Sequence, residues 1–209
     1  GRGDRIHLAG VVQRGRVVNP AVDQDAQRAQ QLAMSGNVAA AMPILESVLA
    51  RDPNHVEGNR LLGLCLFHTG RPEPALAYLN KAASLAPQRG DIYGAMASVY
   101  TSTNRYEQAM AMARKSIEVS PNLAEGHALL ATLMLTGTDY DGAEHHYAEA
   151  IRLKPDYADA RTNHAVIFEM TGRPRRAVEL LREALMAHPF SLPLLTNTCV
   201  ALNYSDLAT

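Results

Sequence analysis

Small and apolar positions recur along this chain in blocks of 34 residues. Pro53, Pro87, Pro121, Pro155 and Pro189 stand at that constant interval, the kind of period that marks a repeat architecture. Twelve residues before each proline stands Ala41, Ala75, Ala109, Ala143 or Ala177. Five before it stands Val48, Ala82, Ser116, Ala150 or Ala184. Ten after it stands Gly63, Ala97, Ala131, Ala165 or Cys199, preceded directly by Leu62, Met96, Leu130, His164 or Thr198. Each block predicts two helices. The first opens after the proline and runs about four turns. It stops near Gly36, Gly70, Asn104, Gly137 or Gly172, residues that tolerate the left-handed conformation of a helix end. The second runs from the recurring alanine to just before the next proline, which cannot continue a helix and biases its predecessor away from helical dihedrals. Small residues belong where the two helices cross, because the backbones must approach closely there.

Composition supports this reading. The hydrophobic fraction is 47%, but 33 of those residues are alanine and only 5% of the chain is aromatic. A β-sandwich or barrel wants β-branched and aromatic residues at alternate positions, and this chain is poor in both. The expected fold class is all-α. The 20 basic and 21 acidic residues leave a net charge of −1, without the basic excess that nonspecific nucleic-acid binding needs. The longest apolar run, Leu61–Phe67, is broken by Gly63, far short of the roughly 20 residues of a membrane-spanning helix. Neither nucleic acid nor membrane insertion is expected. Two distant cysteines, Cys65 and Cys199, make no disulfide framework and suit a reducing compartment. A cytoplasmic location is expected. The first residue is Gly rather than Met, which leaves a processed leader, and hence a secreted or periplasmic location, open.

The 34-residue pattern resembles the tetratricopeptide repeat, and the stretch LLGLCLFHTGRPEPALAYLNKAASLAP carries most of that family's pattern. The frames are residues 22–55, 56–89, 90–123, 124–157 and 158–191, with a partial sixth over 192–203. The family's Trp-preferring fourth position holds Asp25, Asn59, Tyr93, His127 and Arg161 instead. The resemblance implies a right-handed superhelical α-solenoid, in which stacking buries faces that no repeat can bury alone. It places the first helix of each repeat on the concave surface and the second outside.

The two ends depart from the frame. Residues 1–21 hold Arg2, Arg5, Arg14 and Arg16 against Asp4. The segment HLAGVVQRGRVVNP can form a brief hairpin, an extended tail or a mobile arm. A basic tail is the expected form, since so few apolar residues do not offset ordering entropy. Arg2-Gly3-Asp4 spells a cell-adhesion tripeptide, read here as coincidence. At the other end, Leu192, Leu194, Leu195, Val200 and Leu202 form an apolar helix with no second helix after it, followed by residues 204–209. A solenoid normally ends in a polar cap. The natural protein is therefore expected to continue, or this helix caps weakly or mediates self-association.

Catalytic motifs are absent: there is no phosphate-cradling Gly-rich loop, no GxSxG and no HExxH. No cofactor is expected, and no metal site. His145 and His146 are adjacent on an outer helix and point about 100° apart, which does not suit chelation of one metal. His145 and Glu149 make an i, i+4 pair. His164, at a core-leucine position, reads as a satisfied core histidine, and His127 as packing where repeats touch. Asp23, Glu57, Asp91, Glu125 and Asp159 recur at the second frame position, where negative charge favours a helix start. Cys65 and Cys199 read as structural thiols, and the methionines as core filler, except Met34 and Met170, which should face the groove.

Family geometry places frame positions 2, 5, 6, 9, 12 and 13 on or near the concave face. The candidates are Arg60, Leu64, Phe67 and His68, then Ser98, Thr101 and Ser102, then Thr132, Leu135 and Thr136. The fifth frame gives Thr162, Asn163, Val166, Glu169 and Met170, and the sixth Thr196, Asn197 and Val200. This mixed lining suits an extended peptide held by scattered hydrogen bonds and shallow pockets. A Lys/Asn/Arg carboxylate clamp, as in chaperone-tail binders of the family, finds a counterpart only in Arg60. Asn163 and Asn197 occupy the position from which an asparagine ladder grips a peptide backbone; Gln27, Leu61, Ala95 and Leu129 do not continue it. In this respect AIRLKPDYADARTNHAV is similar to the repeat arms of O-linked N-acetylglucosamine transferases and their SPINDLY-like bacterial relatives, and LLTNTCVALNYSDLAT to the junction beyond such arms. The expected function is a noncatalytic protein-interaction module that binds an extended peptide or partner protein. The alternatives are a substrate-recruiting arm of a glycosyltransferase and a self-assembling scaffold.

Overall fold

The computed structural model describes residues 11–13, 16–18, 20–187, 195–199 and 201–202. The all-α expectation holds for the repeats. Five first helices are α1 (Pro20–Met34), α3 (Val56–His68), α5 (Gly90–Ser102), α7 (Ala124–Thr136) and α9 (Ala158–Met170). Five second helices alternate with them: α2 (Val38–Arg51), α4 (Pro72–Leu85), α6 (Tyr106–Val119), α8 (Tyr140–Leu153) and α10 (Pro174–Ala187). Residues 195–199 and 201–202 are also helical. Of the segments singled out above, Arg2-Gly3-Asp4, Pro189, Leu192, Leu194, Val200 and residues 204–209 lie outside the described residues.

Ahead of α1, the segment that could be hairpin, tail or arm carries a short antiparallel pair. Strand β1 (Val11–Gln13) pairs with β2 (Arg16–Val18), with Val11 opposite Val18 and Val12 opposite Val17. Paired β-branched residues are the natural material of such a ladder.

The second helices start three residues before the recurring alanine, not at it. Asn37 and Asp139 explain two of these starts: their side chains accept the backbone N–H of Ala40 and Gly142, the usual service of an N-cap. Pro72 and Pro174 open two others, at the position where a missing N–H costs nothing. The turn before each start is the same. In every frame the residue after the left-handed one, at 37, 71, 105, 139 or 173, donates its N–H to the carbonyl of 32, 66, 100, 134 or 168 at 2.7–2.9 Å. Such a bond closes the first helix.

The left-handed residues are Gly36, Gly70, Asn104, Thr138 and Gly172. In the fourth frame the expectation was Gly137, and the structure corrects it. Gly137 has φ −82° as the cap of α7, and Thr138, one residue on, takes φ +64°. The interval of 34 sets the conformation, so the residue in register adopts it even when it is β-branched.

The chain divides into two compact units, residues 1–86 and 87–209. In the first, α1 packs on α2, α3 on α4, and α2 and α1 each on α3. In the second, every helix from α5 to α10 packs on the next, and α5 and α9 both pack on α7. The recurring small positions form the cores. Ala41, Ala75, Ala109, Ala143 and Ala177 are fully buried, as are Val48, Ala82, Ser116 and Ala150. Cys199 departs from the rule: it occupies the small-residue position of the sixth frame but is exposed, because no described second helix covers it. Cys65 is buried, which pushes its thiol pKa up.

The fourth frame position has a common role that residue size conceals. Asn59 Nδ2, Tyr93 Oη, His127 Nε2 and Arg161 Nε each donate to the carbonyl of the proline six residues earlier, Pro53, Pro87, Pro121 and Pro155, at 3.0–3.1 Å. An amide, a phenol, an imidazole and a guanidinium share only a donor, and an indole would share it too. Asp25, which has no donor, instead accepts from Arg51.

Thr138 gives a direct test of the turn. Thr138→Gly removes a side chain from a left-handed backbone, and should raise unfolding stability by about 0.5–1 kcal/mol after the entropy of glycine is counted. Gly172→Ala, at the equivalent position, should lower it by a similar amount. Urea unfolding of the two variants beside the wild type measures both, and a destabilised Thr138→Gly would show that the turn is not strained.

Candidate functional site

The candidate residues fall on one stripe of each first helix. In the first unit, Arg60, Leu64 and Phe67 are partly exposed on α3, and His68 is exposed beside Phe67, with ring centroids 5.4 Å apart. A hollow of about 280 Å³ lies between them and α1, lined by Gln30, Ala33, Met34 and Val38 with Arg60, Leu61, Leu64, Cys65 and His68. Met34 is 80% exposed, as its position predicts. Gln30 and Ala33 stand at frame positions 9 and 12, so the rule that placed the others places them as well. Arg60 does not project freely: Glu57 grips its Nε at 3.1 Å.

In the second unit, α5, α7 and α9 lie side by side. Ser98 and Thr101 are partly exposed and Ser102 exposed on α5; Thr132 and Thr136 are exposed on α7 with Leu135 partly so. Thr162, Asn163, Val166 and Glu169 are partly exposed on α9, and Met170 is 58% exposed. Thr196 is exposed and Asn197 partly exposed in the helical residues 195–199. The hydroxyls of α5 and α7 share one behaviour. Ser98 donates to the carbonyl of Gly94, Thr101 to Ala97, Ser102 to Val99, and Thr136 to Thr132, at 2.8–3.2 Å. Their protons are therefore occupied within their own helices, and their oxygens face outward as acceptors.

Tyr147 links this face to the core. It is fully buried at the frame position where Leu45, Leu79 and Leu181 stand. Its hydroxyl lies 2.8 Å from Thr132 Oγ1. Burial raises the phenol's pKa, while the neighbouring Thr132 hydroxyl and Asn163 amide oppose the rise. The sequence signal was a tyrosine at a leucine position, since a buried phenol requires a hydrogen-bonding partner.

The outer helices carry a histidine group. Because His127 Nε2 donates to Pro121, its Nδ1 is the acceptor in the neutral ring, and His146 Nδ1 donates to it at 3.1 Å. His145 packs edge-on against His146, with centroids 5.1 Å apart. Burial, then the neighbouring His127 and His145, lower the pKa of His146. Together with Arg114, Ile117, Glu118, Pro121, Asn122 and Glu149, His127 and His145 line an open hollow of about 720 Å³. Glu149 is held by Arg152 at 2.9 Å rather than by His145. Among the described residues no group of three or more His, Cys, Asp or Glu side chains is arranged to hold a metal ion. Asp23, Glu57, Asp91, Glu125 and Asp159 all stand in first turns. Four of them pair with His55, Arg60, Arg89 and Lys154.

His164 is buried as expected, at 7% exposure, but it is not satisfied. Neither ring nitrogen has a hydrogen-bond partner among the described residues. The ring packs against two others, Phe168 with centroids 4.5 Å apart and Tyr147 with centroids 6.4 Å apart. Burial lowers its pKa from the ordinary 6.5; Glu144 opposes and Arg173 adds to the shift.

These features define a helical-repeat protein whose first helices present, within each unit, a stripe that no described helix covers. The chain belongs to the tetratricopeptide repeat family: models of that repeat match residues 25–83, 72–133 and 123–191. A thermophilic tetratricopeptide repeat protein of Thermus thermophilus shares the fold, at 22% identity and TM-score 0.76, over 87% of this chain and 98% of that one. So does a chain of the Cut9–Hcn1 hetero-tetramer of the APC/C, at 16% identity and TM-score 0.78, over 87% and 36%. YrrB, a tetratricopeptide repeat protein with an unusual peptide-binding site, matches at 17% identity and TM-score 0.58, over 84% and 94%. No curated protein matches the chain. Among the described residues no helix is long and apolar enough to cross a membrane.

His164 sets a pH dependence. Its folded pKa lies below the unfolded value, so as pH falls through 6.5 the unfolded chain takes up the proton first. Stability from this group is intact above 6.5 and declines below it until the folded value is reached. His164→Leu, which restores the residue type of Leu62 and Leu130, should flatten the fall in unfolding free energy between about pH 7 and pH 5, by up to about 1.4 kcal/mol per pH unit. Urea titrations at the two pH values test this; parallel losses in wild type and variant would remove His164 as the cause.

Proposed function

We propose that the chain is a noncatalytic protein-interaction module that holds an extended peptide, or an extended segment of a partner protein, along the uncovered stripe of α5, α7 and α9. One observation carries the reading. On α5, α7 and α9 the non-core stripe is covered by no described helix, and it alternates hydroxyl acceptors with the apolar Leu135, Val166 and Met170. Spaced polar contacts with shallow apolar anchors suit an extended chain. The peptide-binding site of YrrB and the hetero-tetramer containing Cut9 and Hcn1 are uses of this fold that point the same way. A glycosyltransferase arm, the narrower reading of the sequence, gains no support from the proteins the chain resembles.

The test uses the partner captured from the native host and then purified. Leu135→Arg and Val166→Arg place bulk and charge on the stripe and should weaken binding about tenfold or more, as loss of an anchor does. Glu107→Arg, on the exposed side of α6, should leave it unchanged. Circular dichroism would confirm that all three variants keep their helices. Equal affinities for all three would place the partner elsewhere.

A further inference from the structure

The first helices of the second unit carry four carboxylates, Asp91, Glu125, Asp159 and Glu169, and a single guanidinium, Arg161. Arg161 is bound to Glu183 and to the Pro155 carbonyl. Asp91 pairs with Arg89 and Glu125 with Lys154. Asp159 makes no such pair, but it is exposed in the first turn of α9, where the helix dipole favours its charge. Glu169 is only partly exposed and also makes no side-chain hydrogen bond or ion pair among the described residues, and burial raises its pKa. It also stands in the last turn of α9 (Ala158–Met170), where the helix dipole disfavours a negative charge. The nearest cation along the chain, Arg173, is drawn away by Glu144, Thr171 and the face of Phe168. Glu169 is thus destabilised by its position, half-dehydrated and uncompensated, on the stripe proposed to bind a peptide.

We infer that the face formed by α7 and α9 selects a peptide carrying a lysine or arginine, whose cation pairs with Glu169. This rests on the peptide-binding reading above and names the chemistry of the ligand. Val166 is one turn before Glu169 on the same stripe, and Met170 adjoins it. Both offer apolar surface to the aliphatic stem of a long cationic side chain, which buries its methylenes while its head group reaches the carboxylate. The neighbouring Thr136 hydroxyl agrees. Thr136 donates to the Thr132 carbonyl, so its oxygen is available to accept from a peptide's backbone N–H; Thr132 donates to the Ala128 carbonyl, and its oxygen already meets the Tyr147 hydroxyl. A face of acceptors with a half-buried, unpaired carboxylate at Glu169 complements a donor-rich, basic segment and repels an acidic one.

The experiment titrates the isotope-labelled full chain with three acetylated and amidated synthetic peptides, followed by NMR amide shifts. All share one extended Ser/Ala framework, with Lys, Gln or Glu at every fourth position. The Lys peptide should shift amides of α7 and α9 and bind about fivefold more tightly than the Gln peptide, with the Glu peptide weakest. Salt above about 0.3 M should erase the Lys advantage. Glu169→Gln should bring the Lys and Gln peptides to equal affinity, while Glu107→Gln on α6 should not. Equal affinities for Lys and Gln peptides in the wild type, with shifts still on α7 and α9, would overturn the selection of a cation and leave peptide binding standing. Absence of shifts on α7 and α9 with all three peptides would overturn both.

Discussion

The close approach of two helix backbones within each repeat is the constraint on which the rest of this structure depends. It is made at residues with little or no side chain. Ala41, Ala75, Ala109, Ala143 and Ala177 on the second helices are all fully buried, and Ala29, Ala97 and Ala131 on the first helices are too. Gly63 shows how tight the crossing is: a Cβ there would lie 2.8 Å from Leu79 Cγ and 3.1 Å from the Ala75 carbonyl oxygen. Interiors are packed as densely as organic crystals, so one added methyl at such a point displaces a helix. Fixing that separation fixes the turn that joins the helices. The same 6→1 bond and left-handed residue recur in all five turns, even where the residue in register is threonine.

The core positions around that contact vary, and their variation reaches the surface. Leu45, Leu79, Ala113, Tyr147 and Leu181 are equivalent by register, and all are fully buried. Beside Ala113, partly buried Met110 and Met112 pack against the same cluster. Tyr147 overfills its place relative to leucine and carries a hydroxyl that cannot be left unpaired without a cost of about 1–3 kcal/mol. Thr132 meets that need. A residue of the candidate binding face is therefore also the structural partner of a core side chain. A repeat that uses tyrosine in its core gives up some freedom on its inward stripe.

Most of the fold was legible from the sequence because it rests on residue size at a fixed interval, and size is what an alignment of the chain against itself reveals. Helix starts were less legible. The recurring alanine is more conspicuous than the caps at 37 and 139 that define where the second helices begin. The fourth position was opaque for another reason: Asn59, Tyr93, His127 and Arg161 share a donor and not a shape. His164 was placed correctly but credited with partners, since the sequence does not reveal that its buried ring would pack beside Phe168 and Tyr147 with neither nitrogen hydrogen-bonded among the described residues. That the side chains from Arg60 to Met170 stand off the core was legible residue by residue. What each hydroxyl does with its proton was not, because that depends on the rotamer it adopts against its own helix.

That last point decides what kind of surface the stripe can be. Serine and threonine within a helix bond back to the carbonyl three or four residues earlier, so a face rich in them is a face of acceptors whatever the ligand. The acidity of the first helices has an equally local origin. Asp91, Glu125 and Asp159 stand at helix starts, where they stabilise the free N–H groups. Neither feature requires a partner to explain it. Glu169 does not share that origin, since it stands at the opposite end of α9 and gains nothing from the dipole. The ordinary demands of helix formation thus account for the background character of the face, and a single carboxylate set against those demands is where its selectivity is concentrated.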